Sequence, residues 1–302
     1  MKLYDVIIVG GGPAGLNAAV VLGRCRRSIL LFDIGKQRNR FSTGMRNYLT
    51  RDNILPTDFL KIADSELKKY GVRKSRSEIV SVEKTQSGIF HLKNSKGIAY
   101  YSKKLLLATG LQDILPVIDG IDTFYGKSIF HCPYCDGWEV RDKRIGVYAK
   151  SKNGFELAIS LKTWSRDVTL YTNGREYLKP IEKELLKKNK VRVFIEKISR
   201  LEGKNGNLNS ILLQDGTRRP CDALFFVNGY KQQCDLAREL GCGMTKKGAV
   251  ITNRLQQANI SGLYVAGDVA RDMHFVVVAA AEGAKAGVSI NKELQKEEFK
   301  SG

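Results

Sequence analysis

His131-Cys132-Pro133-Tyr134-Cys135-Asp136-Gly137 is the stretch of this sequence richest in reactive side chains. Two cysteines separated by two residues can close a small disulfide with little backbone movement, and can lower one another's thiol pKa. That suits reversible two-electron exchange. A carboxyl group follows the second thiol directly, and an imidazole precedes the first. A zinc site would need a second ligand pair. Cys221, Cys234 and Cys242 are spaced too widely to form one, and His91, His131 and His274 show no ligand pattern. No metal is expected, and Cys25, Cys221, Cys234 and Cys242 read singly as inert core or surface thiols.

Glycines supply the second signal. Gly10-x-Gly12-x-x-Gly15 falls between an apolar strand (residues 6–9) and an Ala-rich helix (14 to about 22), and a second apolar strand (28–32) ends in Asp33. Strand, glycine turn and helix in this order make a dinucleotide fingerprint. Gly10 permits the tight turn, Gly12 lets a pyrophosphate approach the backbone, and Gly15 lets helix and strand pack closely. The diphosphate would rest on the positive helix end. Asp33 is placed to accept hydrogen bonds from the adenosine ribose hydroxyls.

These two centres need a scaffold, and the chain supplies an α/β pattern. A helix is expected over 58–70, a meander of short strands over 78–84, 89–93 and 98–102, and a buried strand over 104–108 running into Thr109-Gly110. A linker follows through Pro116 and Gly120. A second βαβ unit reads as strand 145–149, helix 155–164 and strand 168–171. A third block after 242 holds Gly262-Leu263-Tyr264-Val265-Ala266-Gly267-Asp268 and a closing Ala-rich helix.

Composition bounds the rest. With 302 residues, 43% hydrophobic and 27% charged, the chain sits in the globular range and is long enough for two domains. The net charge of +19 is spread along the chain without a long block, which reads as a solvated basic surface and not a nucleic-acid interface. Met1 to Tyr4 lead straight into the first strand with no signal-peptide pattern, and six cysteines are too sparse for a secreted disulfide framework. A cytoplasmic location is expected. Phe275 to Ala281 is too short an apolar run to span a bilayer, so no membrane association is expected.

The order Gly10-x-Gly12-x-x-Gly15, Ala108-Thr109-Gly110, Cys132-x-x-Cys135-Asp136-Gly137, second βαβ unit, Ala266-Gly267-Asp268 resembles the low-molecular-weight thioredoxin reductases over essentially the whole chain. The resemblance implies a FAD-dependent disulfide oxidoreductase with two Rossmann-like nucleotide-binding domains, the second inserted into the first. Residues 1–113 and 243–302 would form the FAD-binding domain. Residues 114–242 would form the inserted pyridine-nucleotide-like domain carrying the cysteine pair. Carried over residue by residue, Gly10, Gly12, Pro13, Ala14, Gly15, Asp33, Asn47, Thr109, Gly267 and Asp268 would bind FAD, with Asp268 on the ribityl side. Cys135 would face the flavin and Cys132 would exchange with the substrate disulfide. Asp136, its carboxyl raised beside a thiolate, would manage protons, and His131 would be a second donor. The implied partner is a thioredoxin-like protein or a small-molecule disulfide or dithiol, and the implied assembly is a homodimer.

The match fails in two places. The second βαβ unit carries Ala149-x-Ser151-x-x-Gly154 where a second glycine fingerprint belongs, and Thr172-Asn173-Gly174 where an arginine cluster would hold the 2′-phosphate of NADPH. Lys150, Lys152 and Arg175 remain as point charges. Efficient use of NADPH is not expected, and the basic surface suits an acidic protein donor such as ferredoxin. After Asp268 the chain has Met273-His274-Phe275 in place of the usual Tyr-Arg-Gln. The Cys-Pro-Tyr-Cys interior is similar to a branch that includes flavin-dependent dithiol oxidases. Two alternatives to the disulfide oxidoreductase follow: an oxygen-dependent dithiol oxidase, and a flavin-binding redox sensor or interaction protein.

Overall fold

The computed structural model describes residues 2–301. The chain opens with β1 (Leu3–Val9), α1 (Pro13–Arg24) and β2 (Ile29–Phe32), continues through α2 (Pro56–Lys68) and β3 (Arg73–Ser75), and then forms β4 (Ile79–Lys84), β5 (Phe90–Asn94) and β6 (Ala99–Leu107). After β7 (Leu111–Asp113) come α3 (Ile121–Phe124), β8 (Ile129–Phe130), α4 (Pro133–Asp136), β9 (Ile145–Ala149), α5 (Asn153–Leu161), β10 (Val168–Tyr171), α6 (Pro180–Lys188) and β11 (Arg192–Phe194). An antiparallel trio, β12 (Ile198–Lys204), β13 (Asn207–Leu213) and β14 (Arg218–Pro220), precedes β15 (Ala223–Val227) and β16 (Tyr230–Gln232). Then α7 (Leu236–Glu239), β17 (Leu263–Val265) and α8 (Val276–Ser301) finish the chain.

Two compact units result. Unit 1 comprises Met1–Arg40, Asn47–Gln112 and Lys231–Gly302, and unit 2 comprises Phe41–Arg46 and Asp113–Tyr230. Residues 231–242, grouped from sequence with the inserted section, fall in unit 1. Leu236, Ala237 and Cys242 of this stretch bury themselves in the core that holds Ile79 and Val82 of β4.

Unit 1 is built on a seven-stranded sheet of order β3-β2-β1-β6-β5-β4, with β17 also pairing β6. The alternation of β1 sorts its side chains: Val6 and Ile8 join the core under α1 and α8, while Ile7 and Val9 join the core on the other face. The sequence reading broke β6 in two near Lys103, yet it is one strand. Its first residues pair antiparallel with β5 and its later ones parallel with β1 and β17. Lys104, 4% exposed, stays inside because Glu293 and Glu297 meet its ammonium at 2.6 and 2.5 Å.

Helix α1 is short on large side chains for a reason. Its Ala14 carbonyl would be 2.0 Å from a Cβ placed on Gly283, so α8 crosses α1 almost backbone to backbone. Asn17 Nδ2 bonds the Ala280 carbonyl at 2.7 Å across the same contact.

Unit 2 holds a parallel sheet of order β11-β10-β9-β15-β8 beside the antiparallel sheet β12-β13-β14. Leu224 and Phe226 of β15 point into the core shared with the antiparallel strands, and Ala223 and Phe225 into the core under α5 and α6. β8 is only two residues long, and it delivers the cysteine segment.

Candidate active site

In unit 2, β8 ends at Phe130 and the chain turns through His131 into the one-turn helix α4. Cys132 caps it in extended conformation, Pro133 fits the first helical position because its missing N–H is not needed there, and Cys132 Sγ accepts the Cys135 N–H at 3.2 Å. Cys132 and Cys135 are joined as a disulfide with their Cα atoms 5.3 Å apart, inside the usual range. Gly137 lets the turn close, since a Cβ there would meet the Pro133 carbonyl at 2.6 Å and the Trp164 ring at 2.7 Å.

Asp136 sits next to this pair, and its carboxyl is raised to about 7, first by burial, with Arg46 pulling it down and Glu139 pushing it up. The cause in this disulfide state, which holds no thiolate beside it, is desolvation. His131 is one-third exposed, and its Nδ1 lies 3.7 Å from Asp113 Oδ2. That carboxylate, 4% exposed, also accepts the Tyr125 hydroxyl at 2.7 Å. Neither Asp113 nor Tyr125 was picked out from sequence. Asp113 is at the end of β7 with no local pattern around it, and only the fold brings it to His131.

In unit 1, the first glycine turn has the shape that the fingerprint predicts. Gly10 has φ +117°, and a Cβ there would lie 2.1 Å from the Ala108 carbonyl oxygen; at Gly15 it would lie 1.9 Å from the Gly10 carbonyl. At Gly12 a Cβ would meet nothing within 4 Å. Gly12 is also the N-cap of α1, with no side-chain cap, Pro13 behind it and no acidic residue in the first turn. The helix end therefore offers free N–H groups beside open space, a cradle suited to a diphosphate.

The remaining predicted cofactor residues are in unit 1 as well. Asp33 is buried, and its oxygens already take Gly35 N–H at 2.9 Å, the Gln37 amide at 3.0 and 3.2 Å and Lys74 Nζ at 3.1 Å. Asn47 has φ +61° and donates its N–H to Asp52 at 2.8 Å. Thr109 follows Ala108 beyond β6 and bonds Cys234, whose thiol is pushed up by burial.

Gly267 turns at φ +85°, and its N–H is accepted at 3.0 Å by Glu282, a buried carboxylate that also binds Arg271 Nε. Arg271 is fixed in turn by Gln256 at 2.8 Å and Thr252 at 3.0 Å, so a polar network holds the turn that carries Asp268. Arg38 Nη1 reaches Asp268 Oδ2 at 3.4 Å and His274 Nδ1 at 2.9 Å. The His274 Nε2 must donate to the Arg271 carbonyl at 2.7 Å, which leaves Nδ1 to accept from Arg38. A guanidinium thus stands beside Asp268 although the local sequence, Met273-His274-Phe275, supplies none. Arg38, Glu282 and Arg271 were all missed from sequence; the one available sign was a buried-pattern glutamate within the Ala-rich helix.

The second cradle differs from the first. Ala149 is the final residue of β9, and α5 starts only at Asn153. The hydroxyl of Tyr177 donates to the Ala149 carbonyl at 3.2 Å and stands 2.2 Å from where a Cβ on Gly154 would be. A side chain of the protein itself therefore occupies space beside the turn. Arg175 is exposed, and Asn173 is engaged by Tyr148 and by the Ile198 N–H. Among the described residues no three histidine, cysteine or acidic side chains cluster as metal ligands, and no helix is long and apolar enough to cross a membrane.

Comparison with known proteins agrees with this geometry. Residues 4–283 match the family described as pyridine nucleotide-disulphide oxidoreductase. Thioredoxin reductase tcpT of Claviceps purpurea is 32% identical over 304 residues, covering 97% of this chain and 95% of its own. A Bacillus anthracis structure assigned to a thioredoxin reductase, TrxB, superposes with a TM-score of 0.94 at 32% identity, over 98% of this chain and 100% of that one. The crystal structure of HlmI gives a TM-score of 0.95 at 32% identity, over 99% and 94%.

Proposed function

The chain belongs to the pyridine nucleotide-disulphide oxidoreductase family as a thioredoxin-reductase-like disulfide oxidoreductase, and from that premise we propose that it holds FAD in unit 1 and moves two electrons between FAD and a substrate disulfide or dithiol through Cys132 and Cys135. One observation carries the reading: a formed Cys132–Cys135 disulfide followed by the partly buried carboxyl of Asp136, in a chain whose other unit presents an uncapped helix end behind an open Gly12.

FAD, when bound, supplies the two-electron store. The N–H groups at the start of α1 would hold its diphosphate, and Asp33 would hold the adenosine ribose. Asp268 would hold the ribityl side, and Asn47, Thr109 and Gly267 would complete the contacts. In unit 2, Cys132 would serve as the exchange thiol and Cys135 as the thiol that passes electrons to or from the cofactor. Asp136 protonates the sulfur released when the disulfide opens and takes the proton back when it closes. His131, oriented by Asp113, is a second proton donor. The partner is a thioredoxin-like protein or a small disulfide, and the basic surface favours an acidic one, so association should weaken with salt.

NADPH is expected to reduce the cofactor at least about tenfold more slowly than in a reductase with intact signatures. Losing one charge-assisted contact to the 2′-phosphate costs roughly 1.5–3 kcal/mol, and tenfold needs only about 1.4. The Tyr177 hydroxyl beside the second cradle adds to the loss. Anaerobic stopped-flow mixing checks this against NADH, reduced ferredoxin and a dithiol. Rapid, saturable bleaching at micromolar NADPH would show that the altered cradle works. The same Tyr177 contact favours a second reading, in which a dithiol substrate reduces the cysteine pair and oxygen reoxidises the cofactor. Bleaching by dithiols alone, followed by recovery in air, would select it.

A further inference from the structure

The segment Phe41–Arg46 belongs to unit 2, although the residues on both sides of it belong to unit 1. What it brings there is Arg46. The Arg46 side chain is 10% exposed, its Nε donates to Glu139 Oε1 at 2.8 Å, and its Nη1 is buried with no hydrogen-bond partner among the described residues. A buried polar group left unpaired costs roughly 1–3 kcal/mol, and more when charged, so its retention calls for a reason. Glu139 lies three residues beyond Asp136, past the end of α4. Arg46 and Glu139 are the charged side chains that act on the Asp136 carboxyl, in opposite senses. Cys132 and Cys135 on the same turn are joined as a disulfide, and His131 on the same loop is paired with Asp113.

We propose that Arg46 and Glu139 form a positioning pair for the redox centre, whose unpartnered guanidinium N–H receives the Asp136 carboxylate each time that group gives its proton to a sulfur of the Cys132–Cys135 pair. The proposal rests on the reading of Asp136 as the proton carrier. With an external dithiol as reductant, one thiolate attacks the disulfide, the Sγ–Sγ bond breaks, and the released sulfur takes the Asp136 proton. The second thiol then completes the exchange, leaving a cyclic disulfide in the reagent and two thiols in the protein. The carboxylate left behind is held by Arg46 Nη1. In the opposite direction the carboxylate takes a thiol proton as the disulfide re-forms on an oxidised partner.

Each member of the pair has a distinct task. Without Arg46, burial would shift the carboxyl toward its protonated form, favouring the giving of a proton over the taking of one. Without Glu139, the guanidinium would be uncompensated and would hold the group ionised. Together they poise it for both directions.

Reduction of the full-length chain by dithiothreitol, followed as free thiol and expressed per dithiothreitol thiolate, tests this. Because the acid form of Asp136 is required, the rate should fall as pH rises through about 7. Asp136→Asn should abolish that fall. Arg46→Gln should move it upward by about one pH unit, so that reduction becomes about tenfold faster at alkaline pH. Glu139→Gln should move it downward, and Arg46→Lys should restore it. A residue that only supported the fold would slow reduction at every pH. If Arg46→Gln does not fold, Glu139→Gln and Arg46→Lys carry the comparison. A fall that persists in Asp136→Asn removes the reading of Asp136. A fall lost in Asp136→Asn but unmoved in Arg46→Gln and Glu139→Gln overturns the proposed pair alone.

Discussion

Gly12→Val is expected to yield a folded but colourless protein. A Cβ at Gly12 meets nothing within 4 Å, so the substitution has room in the chain itself. The same atoms would stand in front of the N–H groups at the start of α1, where a diphosphate must come close. Affinity for FAD should drop by about a hundredfold or more, equivalent to ~2.7 kcal/mol, while the melting temperature of the cofactor-free protein stays near that of the unaltered chain. Gly15→Ala should do the reverse and damage the fold, because its Cβ would lie 1.9 Å from the Gly10 carbonyl oxygen. Flavin absorbance per chain and thermal melting of both variants separate the two glycines. Full flavin retention by Gly12→Val would place the cofactor elsewhere.

The second large effect concerns the cysteines. Cys132→Ser and Cys135→Ser should each lower disulfide turnover by about a thousandfold or more, since two groups that act as one unit fail together. Their products should differ. With Cys135 removed, Cys132 has no partner to resolve a mixed disulfide, so a thiol-reactive disulfide probe should accumulate on it as a stable adduct, visible by mass spectrometry. Cys132→Ser should trap much less. Equal trapping in both variants would undo the division of labour between the two thiols, though not the disulfide.

Local features were legible in the sequence and distant ones were not. The Gly10-x-Gly12-x-x-Gly15 turn and the Cys132-x-x-Cys135 pair declare themselves because a handful of consecutive residues fix both backbone and chemistry. The α/β class followed from apolar runs alternating with a helical period. Asp113, Arg46 and Arg38 gave no such sign. Each acts on a partner far along the chain, at His131, Glu139 and Asp268, and a single charged residue in a loop looks the same whether it faces solvent or a buried carboxylate. Tyr177 was hidden for the same reason: an aromatic residue after a strand says nothing of the glycine it will press against. The extent of β6 was misread because its polar first half, which pairs antiparallel with β5, and its apolar second half, which pairs parallel with β1 and β17, look like two strands meeting at Lys103.

The close crossing of α1 and α8 has a bearing on how the protein is made. Asn17 and Ala280 are 263 residues apart, and the whole of 113–230 is translated between them. Until α8 emerges from the ribosome, the face of α1 that bears Ala14 and Ala18 has no cover, and Gly267 lacks the Glu282 carboxylate that holds its turn. The middle unit carries its own sheets and core segments and is free to fold first, as domains do during synthesis. Completion of unit 1 is then a late event, with the slow step set by bringing together segments so distant in sequence.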